Sequence, residues 1–298
     1  MGSEMATRLL KSGYDVAIYN RTRSKAEPLI ELGATLVEHP VDLADRDIVF
    51  VMVSAPKDLE AVTVGDNGVL TSDTQSPGMI IDSSTVSMEV SARIREQAGE
   101  RGVAFLAAPV SGNPAVIAAG KLTIAVSGPK PSFDTAHEVL AALGRGVTYV
   151  GEGEVARLVK IAHNVFLGVV IQSLIEITSL AERGGVSREA FLEFLNDSVM
   201  GSTFTRYKSP ALVNLDFSPT FTMPLLSKDF DLGLAVAHEL RVPMPIAAAT
   251  AQIVASAIGA GYTQEDFAIL LLEQARRAGM ELQSENAAVA SGLEVEES

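Results

Sequence analysis

Residues 48–56 read Ile48-Val49-Phe50-Val51-Met52-Val53-Ser54-Ala55-Pro56, an unbroken apolar run rich in β-branched residues that ends in small and polar ones. A continuous apolar stretch of this length, closed by turn residues, reads as a strand buried on both faces of a parallel sheet. Similar short runs occupy 16–19, 79–82, 104–107, 122–126 and 147–150, and amphipathic patterns fill 4–12, 24–32, 89–101 and 132–143. Strands separated by helices make βαβ units, and a series of them makes a doubly wound, largely parallel sheet. The expected fold is therefore α/β of the Rossmann type. Its ligands bind at the carboxyl ends of the strands.

Beyond Gly151 the strand pattern stops. Residues 154–183 form one long helical run closed by Gly184-Gly185, and further helical patterns cover 188–195, 225–240, 246–259 and 264–278. A glycine pair directly after such a run is a helix stop. The predicted organisation is a dinucleotide-binding domain over 1–150, an all-helical substrate and dimerisation domain over 151–280, and a disordered acidic tail over 281–298. A helix as long and apolar as 154–183 is expected to bury more than one face, which suggests packing between subunits as a homodimer or homotetramer.

Composition narrows the chemistry. The 298 residues carry a formal charge of −14 and no basic stripe, which argues against nucleic acid. With no cysteine, thiolate nucleophiles, disulfides and cysteine metal sites are excluded, and the four scattered histidines form no ligand pair. No metal site is expected. Segments 161–181 and 242–260 are apolar, but the first is interrupted by His163, Asn164, Gln172 and Glu176 and the second by Pro243 and Pro245. Both read as core helices rather than bilayer spans, and the expected location is cytoplasmic.

The opening Met1-Gly2-Ser3-Glu4-Met5-Ala6-Thr7-Arg8-Leu9-Leu10 reads as the end of a G-x-G-x-x-G turn entering its helix, with Gly2 as the last glycine. The first strand and first two glycines of that unit are not in the sequence. Because that strand is central in a doubly wound sheet, two exposed strand edges and weak cofactor binding are expected, with further coding sequence upstream. The strand at 16–19 runs into Asn20-Arg21-Thr22, at the adenosine end of a dinucleotide fold. Arg21 offers a planar, permanently charged fork suited to a 2′-phosphate, which favours NADP while leaving NAD possible. Val53, Ser54 and Ala55, and Ser83, Ser84 and Thr85, end two other strands and can offer amides and hydroxyls to the nicotinamide half.

Two further stretches carry chemistry. Ala108-Pro109-Val110-Ser111-Gly112 places a hydroxyl and an open backbone at the end of an apolar run, and Lys160-Ile161-Ala162-His163-Asn164 places an amine and an amide at i and i+4 on one helix face. Such groups around a small carboxylate suit proton transfer beside a hydride acceptor. A lysine that titrates at about 10.4 must be lowered to act as a base, whereas as a proton donor it needs no such shift.

In their order and spacing these elements resemble the β-hydroxyacid dehydrogenase family, whose members include 3-hydroxyisobutyrate dehydrogenase, tartronate semialdehyde reductase, glyoxylate/succinic semialdehyde reductase and, more distantly, 6-phosphogluconate dehydrogenase. The resemblance runs from Met1 to about Ala278. It is carried by the opening helix, Asn20-Arg21-Thr22, Asp82-Ser83-Ser84-Thr85, Ser111-Gly112, Gly120-Lys121-Leu122-Thr123, Lys160-x-x-x-Asn164 and Lys228-Asp229. It implies hydride transfer between NADP(H) and a small β-hydroxyacid or semialdehyde, with Lys160 as general acid/base. It further implies Ser111, Gly112 and Asn164 at the substrate, Thr85 and Lys228 near the cofactor, and Asn20, Arg21 and Thr22 at its adenosine end. Asn113-Pro114 depart from the family's usual glycine and put a side chain near the substrate, while His163 stands where short-chain members often carry asparagine. Alternative readings are a decarboxylating phosphogluconate-type enzyme, an imine reductase, or a non-catalytic oligomeric relative.

Overall fold

The computed structural model describes residues 1–293. The chain forms two compact units, Met1–Lys160 and Ile161–Ser298, the division falling inside a long helix.

The first unit runs α1 (Gly2–Lys11), β1 (Ala17–Ile18), α2 (Glu27–Glu31), β2 (Thr35–Leu36), β3 (Ile48–Val51), α3 (Pro56–Thr63), β4 (Met79–Asp82), α4 (Met88–Glu100), β5 (Ala104–Ala107), β6 (Val110–Ser111), α5 (Pro114–Ala118), β7 (Thr123–Ser127), α6 (Lys130–Ala141) and β8 (Gly146–Gly151). Its main sheet has the order β3-β4-β5-β7-β6, with β8 beside β7. Strands β3, β4 and β5 are parallel in register, Val49 opposite Ile80 and Ile80 opposite Phe105. Strand β7 runs antiparallel to β5 and β6 and parallel to β8.

Strand alternation divides the core. Met79 and Ile81 face one cluster with Met5, Leu9, Phe133 and Leu140 of α1 and α6, while Ile80 joins Leu59, Ile94 and Phe105 on the other face with α3 and α4. Helices on both faces explain why the strands read as continuous apolar runs. The fold is thus a Rossmann-type α/β unit followed by a helical one.

The first two strands stand apart. They pair only with each other, as a two-stranded parallel sheet. Between β1 and β3 lies a cavity of about 1420 Å³ whose walls include Ala17, Ile18 and Ile48–Val51, with Met5 and Leu9 of α1.

Four short elements did not show in the pattern: β2, β6, α3 and α5. The two helices begin with a proline in the first turn, Pro56 and Pro114, where the missing N–H would be unpaired in any case. A proline that reads as a breaker in sequence is here a start signal.

The helix α7 (Val155–Arg183) begins in the first unit and continues into the second, which adds α8 (Arg188–Asp197), α9 (Thr203–Asn214), α10 (Met223–Glu239), α11 (Pro245–Gly259) and α12 (Leu270–Arg277). By length and composition α7 could cross a membrane, and 44% of its most apolar window is buried within the protein. The second unit's core gathers Ile171, Ile175, Leu212, Leu226, Phe230, Val254 and Phe267. Helix α9 was not foreseen because Pro210 lies inside it, although a Ser202/Thr205 capping box marks its start.

Residues 281–293 correct the expectation of a disordered tail; the rest of that segment lies outside the described residues. Leu282, Ala287 and Val289 pack on the helical core. Arg188, fully buried, donates to the carbonyls of Leu212 at 2.8 Å, Val213 at 2.9 Å and Gln283. The Glu285 carboxylate accepts from the backbone amides of Arg188 at 2.7 Å and Glu189 at 2.9 Å. Those amides open α8 and lack helical acceptors, so an anion is drawn to them.

Candidate active site

One cavity gathers most of the expected dinucleotide residues. Gly2, Asn20, Arg21, Thr22, Val53 and Ser54 all line the space between β1 and β3. Ala55 and Thr85 are not among its walls, and Lys228 belongs to the second unit. Gly2 opens α1, and a methyl added there would meet Met52 Cβ at 3.6 Å, an ordinary packing distance. The Asn20 amide donates to the Thr22 carbonyl at 2.7 Å and so folds the turn after β1. Arg21 is held by an ion pair to Asp58 at 3.2 Å while its side chain stays 83% exposed. The neighbouring Arg23 pairs with Glu38 at 2.5 Å. An exposed guanidinium at the wall of this largely apolar cavity is a group suited to a phosphate-bearing dinucleotide.

The ends of β3 and β4 are joined by a buried network that sequence reasoning missed. Arg157, on the first turn of α7, is 1% exposed and reaches the sheet through three groups. It donates to Asp82 Oδ2 and the Ser84 carbonyl at 2.5 Å each, and to Ser91 Oγ at 3.1 Å. Asp82 Oδ1 accepts from the Ser84 amide at 3.0 Å, and Ser84 Oγ accepts from the Val53 amide at 3.0 Å. Two of the polar groups expected to serve the cofactor, the Ser84 hydroxyl and the Val53 amide, are thus spent on each other. The signal in the sequence was an arginine in an otherwise apolar helical run, three residues before Lys160. A buried arginine demands a buried carboxylate, and Asp82 at the end of a strand is one.

Around Ser111 the local geometry is tight. Ser111 ends β6 and is half-buried, and Gly112 follows at φ +145°. A methyl on Gly112 would stand 2.7 Å from Val116 Cγ1, so no side chain fits. Asn113, expected at the substrate, uses its Oδ1 to accept from the Val116 amide at 2.9 Å. It is the N-cap of α5, with Pro114 as the first helical residue. That cap engages the side-chain oxygen of Asn113 with the backbone.

Lys160 is half-buried, one turn beyond Arg157 on α7. In the second unit, Asn164 is 6% exposed and its Nδ2 donates to Asp229 Oδ2 at 2.6 Å, while its Oδ1 lies 3.0 Å from His163 Nδ1. Two glycines bring these helices together. A methyl on Gly168 would strike the Phe230 ring at 2.6 Å, and one on Gly233 would strike Val165 Cγ2 at 2.2 Å. Close approach of α7 and α10 therefore puts Asp229 against Asn164. Lys228 and Asp229 differ in exposure, the lysine being solvated and the aspartate buried. The Lys228 Nζ is 4.0 Å from Asp229 and the lysine side chain is 42% exposed, whereas the aspartate is 3% exposed.

Comparison with known proteins agrees with this geometry. Residues 1–151 match the family model described as the NAD binding domain of 6-phosphogluconate dehydrogenase. Residues 151–274 match the one described as NAD-binding of NADP-dependent 3-hydroxyisobutyrate dehydrogenase. Glyoxylate/succinic semialdehyde reductase 1 of Arabidopsis thaliana is 30% identical over 272 residues, spanning 91% of this chain and 94% of the relative. Reductase 2 of the same plant, chloroplastic, is also 30% identical over 272 residues, spanning 91% and 76%. The crystal structure of 3-hydroxyisobutyrate dehydrogenase from Salmonella typhimurium superposes with a TM-score of 0.81 at 25% identity, covering 91% of this chain and 95% of the other. Matched in both halves, the chain belongs to the β-hydroxyacid dehydrogenase family, whose members are NAD(P)-dependent hydroxyacid dehydrogenases and reductases.

Proposed function

We propose that this chain interconverts a small β-hydroxyacid and its aldehyde or keto acid, using NADP(H), with Lys160 as the general acid/base. The observation that carries the reading is the cavity that collects Gly2, Asn20, Arg21, Thr22, Val53 and Ser54 at the ends of β1 and β3. The nicotinamide, when bound, supplies or accepts the hydride. Lys160 takes the hydroxyl proton in oxidation or donates one to the carbonyl oxygen in reduction. Ser111 and the backbone of Gly112, in the same unit as Lys160, hold the substrate carboxylate. In the second unit, Asp229 and His163 hold the Asn164 amide in one orientation.

The reading is tested by turnover of 3-hydroxyisobutyrate, glycerate and 4-hydroxybutyrate with both nucleotides, together with binding by an Arg21→Ala variant. Loss of an exposed charge-assisted contact should weaken NADPH by about tenfold and leave NADH nearly unchanged. Equal loss for both nucleotides contradicts the 2′-phosphate assignment. Absence of turnover on all three acids with either nucleotide contradicts the reaction.

The chain works as a homo-oligomer in a cytoplasmic, reducing setting, to which a sequence without cysteine is suited. Support for assembly comes from one stripe of α7: Phe166 at 68%, Ile177 at 41% and Leu180 at 73% exposure project from the same side at helical spacing. A Phe166→Glu/Leu180→Glu variant should elute and scatter light as a monomer. An unchanged mass contradicts an oligomer built on this face.

A further inference from the structure

We infer that Asp58 is a specificity-determining residue, whose carboxylate limits the preference of this chain for the phosphorylated dinucleotide and lets it also use the unphosphorylated one. The inference rests on the proposed role of Arg21 at the 2′-phosphate. Asp58 lies in the first turn of α3, where Pro56 starts the helix two residues after the Val53–Ser54 strand end. An anion in that first turn is favoured by the unpaired amides of the helix N-terminus. Its side chain is 23% exposed and pairs with Arg21 Nη1 at 3.2 Å across 37 residues of sequence.

The guanidinium therefore enters any complex with one nitrogen already engaged. The rest of its donor fork remains open, since the Arg21 side chain is 83% exposed. A 2′-phosphate that takes the open side brings a second anion against the same cation, with the Asp58 carboxylate a few ångströms away. The dianion then has either to displace the carboxylate or to bear its repulsion, and both lower NADP(H) affinity. A ribose hydroxyl at the same place carries no charge. It gains an acceptor in Asp58, the service that an acidic residue performs in NAD-specific folds.

The test is an Asp58→Asn variant of the full chain, with NADPH and NADH dissociation constants measured by nucleotide fluorescence and 2′-AMP against 5′-AMP as competitors. NADPH should tighten by about three- to tenfold and NADH weaken by about two- to threefold, while Asp58→Glu keeps the original ratio. In an Arg21→Ala background the effect of Asp58→Asn on NADPH should differ from its effect in the unaltered chain, because the two residues act as one unit. An unchanged NADPH/NADH ratio, or an equal loss for both nucleotides, overturns the inference. The two readings fail separately: an unselective Arg21→Ala removes the phosphate site itself, whereas a selective Arg21→Ala with a silent Asp58→Asn removes only the role of Asp58.

Discussion

Replacement of Lys160 by alanine is expected to lower kcat by about two to four orders of magnitude while NADPH still binds. Lys160 lies one turn beyond Arg157, and the buried bonds of Arg157 fix the phase of α7 against the ends of β3 and β4. The turn that carries Lys160 thus follows one that is tied to the carboxyl ends of the strands, where a doubly wound sheet holds its ligand. Lys160→Arg separates charge from proton transfer. A guanidinium keeps the positive charge but does not release a proton at working pH, so it should restore substrate binding and leave kcat low. Lys160→Ala should also respond to added small primary amines, which replace the missing group in the same place. Near-normal kcat in Lys160→Ala, with either nucleotide, would remove the residue from the chemistry.

The fold was legible because its signals are local. Runs such as 48–53 and 79–82 are apolar on both sides for a reason that the structure makes plain: α1 and α6 cover one face of the sheet and α3 and α4 the other. The candidate site was legible only in part. Arg21, Ser111, Lys160 and Asn164 carry chemistry in their side-chain type and could be named from sequence. Asp229 could not be assigned to Asn164, because that contact depends on Gly168 and Gly233 letting two helices approach closely. Nor could the capping role of Asn113 be read from sequence. Its amide oxygen serves a helix of only five residues, too short to show a periodic pattern. The acidic C-terminal segment misled for a related reason. Composition records that Glu285 is charged but not that the amides opening α8 and the buried Arg188 are waiting for it.

The same limit applies to Arg157, where the largest stability effect is expected. Arg157→Ala should destabilise the first unit by about 3–5 kcal/mol, the usual result of stripping one partner from a buried ion pair. The partner left behind is Asp82, with no exposed surface, on the central strand β4. Its carboxylate would keep the Ser84 amide as a donor but lose its cation, while the Ser84 carbonyl and Ser91 hydroxyl lose theirs as well. For a unit of this size such a loss lowers the melting temperature by roughly 2–4 °C per kcal/mol, readable by calorimetry or circular dichroism. Removing both charges should do less harm than removing one. An Arg157→Met/Asp82→Leu double variant buries no unpaired ion and should regain much of the stability lost by Arg157→Ala. It should not regain cofactor affinity, because the Asp82–Ser84–Val53 chain that sets two strand ends is gone. If Arg157→Ala costs less than about 1 kcal/mol, the pair is no more than a surface-grade bridge, and the network does not hold the turn that carries Lys160.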